Sequence, residues 1–235
     1  MNAGSAPARK ARASTRADHG YGKPNASVDV VILTLLDGKL HVCLIERDKD
    51  PFLGSLALPG GYVHVEEDLS LTDVALRMLK TKTGLQPRFL EQLQTFGGAD
   101  RDPDGWSITV AYFTMLNPQE AEATTAVHII PVDRLPALAF DHARIVQAAV
   151  GRLRSKSTYS ALPAYLLPPE FTIPELQSVY EQVIGTTLDK KSFRRKIDEQ
   201  EIIEPSGRER RDGPHRPSQL YRLKPGVAPE FDRRI

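Results

Sequence analysis

The spacing of apolar positions changes several times along the chain, and each change predicts an element. Val28–Leu36 is an unbroken β-rich apolar run, and Leu40, Val42 and Leu44 alternate on one face of the segment that follows. Asp37-Gly38 between them is a hairpin turn pair, so the two segments predict antiparallel strands. At Leu71 the spacing becomes helical. Leu71, Val74, Ala75, Met78 and Leu79 form a half-buried stripe, Ser70 and Asp73 occupy the two capping-box positions, and Gly84 is the terminator. Strands are predicted at 89–96, 107–115 and around 127–131, with the polar loop Gly97–Gly105 between the first two. A helix follows Asp141 as its cap, with Val146, Ala149, Val150 and Leu153 facing inward. This mixture predicts an α+β domain over residues 23–155, ordered from about Ser27.

The pattern then changes character. Residues 156–170 contain Pro163, Pro168 and Pro169 and read as a linker. Within residues 171–225, Thr172-Ile173-Pro174-Glu175 is a capping box with proline near the helix start. Leu176, Val179, Tyr180 and Val183 give that helix its apolar face, and Gly185 ends it. Asp189 caps a second helix in which Phe193 and Ile197 face inward. Ile202–Glu204 and Leu220–Leu223 read as short strands around the Pro/Gly/Arg-rich loop Pro205–Pro217. Helix, short turn, helix and hairpin predict a winged helix-turn-helix domain. Residues 1–22 read as a disordered basic tail, and residues 226–235 as a C-terminal tail.

Composition narrows the class. Of the 235 residues, 40% are hydrophobic and 26% charged, which is ordinary for a water-soluble globular protein. The one cysteine, Cys43, excludes a disulfide framework and a Cys-rich zinc site, and its place in a strand makes it a small buried side chain. No apolar run reaches the roughly twenty residues of a membrane-spanning helix. A cytoplasmic protein with no membrane partner is therefore expected.

The net charge of +1 conceals a segregation. Residues 1–23 hold five basic side chains against one acidic, and residues 186–225 hold eleven against seven, so each end carries +4. The last ten residues balance, which leaves −7 for residues 24–185. Basic ends around an acidic middle point to a polyanionic partner for the ends.

That partner is read from the second helix of the C-terminal unit. With Phe193 and Ile197 turned inward, Lys190, Lys191, Ser192, Arg194 and Arg195 occupy the exposed arc, where they can reach phosphates or base edges of double-stranded DNA. Arg208, Arg210, Arg211 and Arg216 of the wing suit phosphate or minor-groove contact. No aromatic platform for RNA bases is visible.

In the N-terminal domain, Leu58-Pro59-Gly60-Gly61-Tyr62-Val63 followed by an acidic turn and a helix ending Thr83-Gly84-Leu85 resembles a Nudix box. That box reads Gly, five residues, Glu, seven residues, Arg-Glu-aliphatic-any-Glu-Glu-any-Gly-aliphatic. Gly61, Glu67, Arg77, Leu79, Gly84 and Leu85 match, but nine residues separate Glu67 from Arg77. The Glu positions on the helix are Met78, Thr81 and Lys82. Nudix hydrolases hold divalent metals on those carboxylates to polarise a diphosphate and activate water. With a lysine where the cation would sit, neither a metal site nor a catalytic residue is expected. An anion could still be held by backbone N–H groups at Gly60-Gly61 and by Arg77. Arg77 could equally form a surface i, i+4 pair with Asp73. His64, Glu66 and Glu67 read as solvated loop residues, and Trp106 as a buried or edge-strand side chain.

An altered Nudix box followed by a winged helix resembles the NrtR family, Nudix-related transcriptional regulators of NAD metabolism. The resemblance spans about residues 24–225 and rests on Leu56–Tyr62 (LALPGGY), Arg101–Tyr112 (RDPDGWSITVAY), Phe140–Ala143 (FDHA), Phe171–Tyr180 (FTIPELQSVY), Leu188–Ile197 (LDKKSFRRKI) and Arg216–Leu223 (RPSQLYRL). It implies a Nudix-like α/β/α sandwich before the winged helix. It implies further a homodimeric repressor that binds a palindromic operator near NAD-biosynthesis or salvage genes, and that releases DNA when ADP-ribose or a related nucleotide binds. No other cofactor is implied. By family position Arg47, Gly60, Gly61 and Arg77 are effector-site candidates, joined by Arg101 and Asp102 from the polar loop and, as a stacking residue, Trp106. The alternative is a metal-dependent ADP-ribose or nucleotide-sugar pyrophosphatase fused to a DNA-binding module.

Overall fold

The computed structural model describes residues 22–124, 126–211 and 217–225. The basic tail, Arg216 and the C-terminal tail therefore lie outside the described residues, apart from Gly22.

Strands β1 (Asn25–Leu36) and β2 (Lys39–Glu46) form the expected hairpin. Asp37 and Gly38 turn it with φ of 47° and 75°, the doubly positive geometry that matches strand twist. Short strands β3 (Leu56–Ala57) and β4 (Gly60–Tyr62) precede α1 (Leu71–Thr83). Then come β5 (Glu91–Gly98), β6 (Ser107–Met115), the short α2 (Pro118–Glu122), β7 (His128–Pro131) and α3 (His142–Ser157). The seven strands make one mixed sheet in the order β3-β2-β1-β6-β5, with β4 paired to β1 and β7 to β2. Strand β1 starts three residues earlier than its apolar run because Asn25 to Leu33 pair in parallel with β6.

Alternate residues of β1 serve opposite layers. Val28, Val30 and Ile32 pack with Val74, Ala75, Met78 and Leu79 of α1. Val31, Leu33 and Leu35 pack with Ile145, Val146, Ala149 and Leu153 of α3. A sheet covered on both faces is the α/β/α sandwich. Cys43 is buried in it, and desolvation pushes its thiol up to about 12, so it is an inert core side chain. Leu71, assigned to the apolar stripe, is exposed at the first turn of α1.

The linker expectation needs correction. Helix α3 runs on to Ser157, and a 3-10 turn at Leu162–Leu166 buries Leu162, Pro163, Ala164 and Leu166. Tyr180 donates a hydrogen bond to the Ser160 carbonyl at 2.7 Å, and Arg88 donates to the Leu167 carbonyl at 2.8 Å. Pro163 stands at the start of this packed turn, so the segment is not a free connector, while Pro168 and Pro169 follow it nearer the surface.

Beyond it, α4 (Ile173–Ile184) shows the complete Thr172/Glu175 capping box and ends at Gly185 with φ 78°. Helix α5 (Lys190–Gln200) is capped by Asp189, whose carboxylate accepts from the Ser192 N–H. The wing is β8 (Ile203–Arg210) against β9 (Ser218–Leu223). Strand β8 thus extends through residues expected as loop. Its exposed polar residues carry no apolar alternation to announce a strand, and pairing with β9 defines it. Phe171, Tyr180, Phe193 and Ile197 are fully buried in the same apolar cluster as β1 and α3. Sandwich and winged helix therefore share one continuous core. Among the described residues no helix is long and apolar enough to cross a membrane.

Candidate functional site

A cleft of about 530 Å³ opens where β4, the second half of α1 and the loops around residues 47–51 and 101–104 converge. All six effector-site candidates, Arg47, Gly60, Gly61, Arg77, Arg101 and Asp102, line it. Trp106 does not; it is half exposed, with its ring edge over Gly97, in place of the buried or edge position expected.

The double glycine follows from close approach. A Cβ on Gly60 would collide with the Asp29 carboxylate and stand 2.8 Å from the Val28 carbonyl; one on Gly61 would stand 2.6 Å from the Met78 sulfur. Met78, at a Nudix carboxylate position, is thus buried under the glycine turn. Thr81 donates to the Arg77 carbonyl at 2.7 Å, a back-bond within the helix. Lys82 faces the cleft and meets Asp48 at 3.9 Å. These three side chains do not fit a divalent metal, and among the described residues no three His, Cys, Asp or Glu side chains converge on a metal-sized site.

Arg77 does not pair with Asp73, which is engaged with Ser70. It grips Asp68 instead, with Nε–Oδ1 at 2.8 Å and Nη2–Oδ2 at 2.6 Å, and donates to the Tyr62 carbonyl at 3.0 Å. The Arg77 hydrogen bonds hold the Asp68 carboxyl down at about 2. His64, Glu66 and Glu67 lie exposed on the loop that this pair ties to α1.

Arg101 belongs to the cleft floor. Its Nη2 lies 3.1 Å from Asp29 Oδ2, and its Nε lies 2.9 Å from Asp141 Oδ1 without hydrogen-bond alignment. Asp141 occupies the cap position of α3, yet its carboxylate makes no cap hydrogen bond. On the other side of Asp29, His142 Nε2 stands 3.6 Å from Oδ1. His142 Nδ1 accepts from the Leu58 N–H at 2.9 Å, which leaves the ring proton on Nε2. Burial pulls the His142 pKa below its ordinary value, so the ring is neutral at pH 7.

Among the described residues Arg47 has no carboxylate partner: it donates to the carbonyls of Pro51 and Lys49, and its guanidinium lies 4.7 Å from the Phe140 ring centroid. Phe140 packs edge-on against Phe52 at 4.9 Å, and the two border an adjoining cavity of about 410 Å³ beside Arg101 and Asp102. Asp102 accepts from the Asp104 N–H at 3.0 Å and fixes that loop. Asp29, Asp68, Lys82, Phe140 and His142 were not among the predicted site residues. Asp29 is a charge inside an apolar run, and Phe140, Asp141 and His142 are the FDHA stretch, so two signals were present.

On the winged helix, Lys190, Lys191, Ser192, Arg194 and Arg195 are exposed along one face of α5. Arg194 reaches Asp198 at 3.3 Å and the Tyr221 hydroxyl at 3.2 Å, linking α5 to the wing. Arg195 faces Glu199 at 3.7 Å. The wing arginines are more committed than expected. Arg210 contacts Glu175 at 2.6 Å and so braces the α4 capping box, while Arg208 meets Glu170 at 3.3 Å.

The fold and the two surfaces define a class: a Nudix-type domain joined to a winged helix. The Nudix domain model matches residues 25–149, and the model of the NrtR DNA-binding winged helix domain matches residues 163–223. An ADPR-responsive transcriptional repressor of Acinetobacter baylyi is 40% identical over 213 residues, covering 86% of this chain and 83% of the relative. The crystal structure of Shewanella oneidensis NrtR with a 27mer DNA superposes with a TM-score of 0.82 at 38% identity, over 89% of this chain and 99% of that one. The Nudix domain of the same Shewanella protein in complex with ADP-ribose matches at 36% identity and a TM-score of 0.52, over 59% of this chain and 94% of that one. The chain belongs to the NrtR family.

Proposed function

We propose that this protein is a DNA-binding transcriptional repressor of NAD-biosynthesis or salvage genes, in which the Nudix-type cleft senses ADP-ribose or a related nucleotide without hydrolysing it. The observation that carries this reading is the pairing of the two surfaces on one core. A nucleotide-sized cleft lined by Arg47, Arg77, Lys82 and the Gly60-Gly61 turn meets its helix at Arg77, Met78 and Lys82, none of them a carboxylate, and the winged helix packed on the same domain exposes a cationic α5. The relatives support it, one an ADPR-responsive repressor and one a Nudix domain holding ADP-ribose.

In this account a homodimer places two α5 helices on the half-sites of a palindromic operator in the cytoplasm, by way of Lys190, Lys191, Ser192, Arg194, Arg195, Arg208 and Arg216. Because sandwich and winged helix share a core, ligand in the cleft acts on whole protomers. It favours a dimer geometry whose helices no longer match the half-site spacing.

The pyrophosphatase alternative is tested directly. ADP-ribose incubated with magnesium and the protein should be recovered intact while raising its Tm. Catalytic release of AMP, lost in Glu67→Gln, would replace the sensor by an enzyme.

A further inference from the structure

Nudix chemistry uses a divalent cation to meet the charge of a diphosphate, and the side chains at those positions here cannot hold one. Met78 is sealed beneath Gly61, and the Thr81 hydroxyl is spent on the Arg77 carbonyl. Lys82 is one helical turn beyond Met78, so the two share the face of α1 that looks onto the glycine turn.

The cations lining the cleft are not equivalent. Arg77 is neutralised by the buried carboxylate of Asp68, and Arg101 by Asp29 and Asp141. Among the described residues Arg47 donates to carbonyl groups and has no carboxylate within 4 Å, so no ion pair there offsets its charge. Among the described residues Lys82 has one carboxylate within 4 Å, that of Asp48 at 3.9 Å, and the Asp48 side chain is 71% exposed. An ion pair that long and that wet binds Lys82 weakly. An incoming diphosphate would displace Asp48 at little cost and gain charge-assisted hydrogen bonds from an ammonium already in place.

We propose that Lys82 takes the place of the divalent metal, contacting the diphosphate of the bound nucleotide together with Arg47 and so making ligand binding metal-independent. This rests on the nucleotide-sensing reading above. It assigns Lys82 a binding role at the position where a Nudix hydrolase has a metal-ligating carboxylate, and it makes Asp48 the group that the ligand must displace.

The experiment is calorimetric titration of the full chain with ADP-ribose, in EDTA and in magnesium, for the unmodified protein and for Lys82→Ala, Lys82→Arg and Asp48→Asn. Thermal melts of each variant confirm folding. The unmodified protein should bind with the same affinity in both buffers. Lys82→Ala should lose about tenfold or more, the loss of a charge-assisted hydrogen bond to an anion. Lys82→Arg should retain most of the affinity, and Asp48→Asn should bind more tightly. AMP, which lacks the diphosphate, should show a smaller loss on Lys82→Ala than ADP-ribose does. An affinity that rises tenfold with magnesium, or a folded Lys82→Ala protein that binds as the original does, overturns the assignment of Lys82 and leaves the sensor intact. Absence of binding by the unmodified protein in both buffers overturns the sensor reading and this assignment with it.

Discussion

Arg77 closes on Asp68 through two hydrogen bonds, Nε to Oδ1 at 2.8 Å and Nη2 to Oδ2 at 2.6 Å, and thereby fastens the loop after the glycine turn to the middle of α1. The Asp68 carboxyl, held down at about 2 by the Arg77 hydrogen bonds, is ionised in the folded chain well below the pH at which the unfolded chain protonates it. Its contribution is fully present above about pH 4 and disappears as pH falls through about 2. Melting curves between pH 5 and pH 2 should show the unmodified protein losing stability more steeply than Asp68→Asn. Parallel curves would mean that the pair adds nothing to the folded state.

The two adjacent glycines should respond differently to a methyl group. At Gly60 the obstacle is the Val28 backbone and the Asp29 carboxylate that holds Arg101, and neither can retreat without breaking the cleft floor. At Gly61 it is the end of the Met78 side chain, which has rotamers to spare. Gly60→Ala should therefore cost about 1–3 kcal/mol in urea denaturation, and Gly61→Ala clearly less. The reverse order would contradict this account of the turn.

Arg101 is 7% exposed and faces the similarly buried Asp29, so its removal strands a charge. Arg101→Ala should lower stability by about 3–5 kcal/mol, the usual cost of breaking one side of a buried pair. Arg101→Ala combined with Asp29→Asn should recover part of that loss. Equal losses for the single and double variants would show that the pair is not what holds the floor.

On α5, Lys190 and Lys191 stand exposed at the first turn, whereas Arg194 is braced by Asp198 and Tyr221. If the two lysines meet phosphates, changing both to alanine should weaken DNA binding on every sequence and reduce the salt slope by about 2. Arg194→Ala should instead erode discrimination between operator and non-operator duplexes, by about 1–3 kcal/mol if it reads a base. Full binding by the Lys191→Ala, Arg194→Ala double variant would remove α5 from the recognition role.

Features with local causes were legible in the sequence. The caps Ser70, Thr172 and Asp189, the terminators Gly84 and Gly185, and the inward pair Phe193 and Ile197 all follow from spacing and residue type. The candidate cleft was legible in part, since all six expected residues line it. What escaped depends on contacts distant along the chain. Arg77 passes over Asp73 for Asp68, nine residues away across a loop, and Asp141 turns from its cap position toward Arg101. The wing strand β8 is defined by β9 and not by its own pattern, and Pro163 is buried with Leu162, Ala164 and Leu166 in a turn that joins the shared core.

The central claim is a coupling between cleft and DNA, and one titration addresses it. The operator is first recovered by selection from a random duplex pool with the full-length protein. Fluorescence anisotropy then follows the complex at fixed salt as ADP-ribose is added. The account predicts that ADP-ribose dissociates the operator complex, and that Lys82→Ala requires about tenfold more ligand for the same release. Operator affinity that stays constant across a saturating range of ADP-ribose would contradict it.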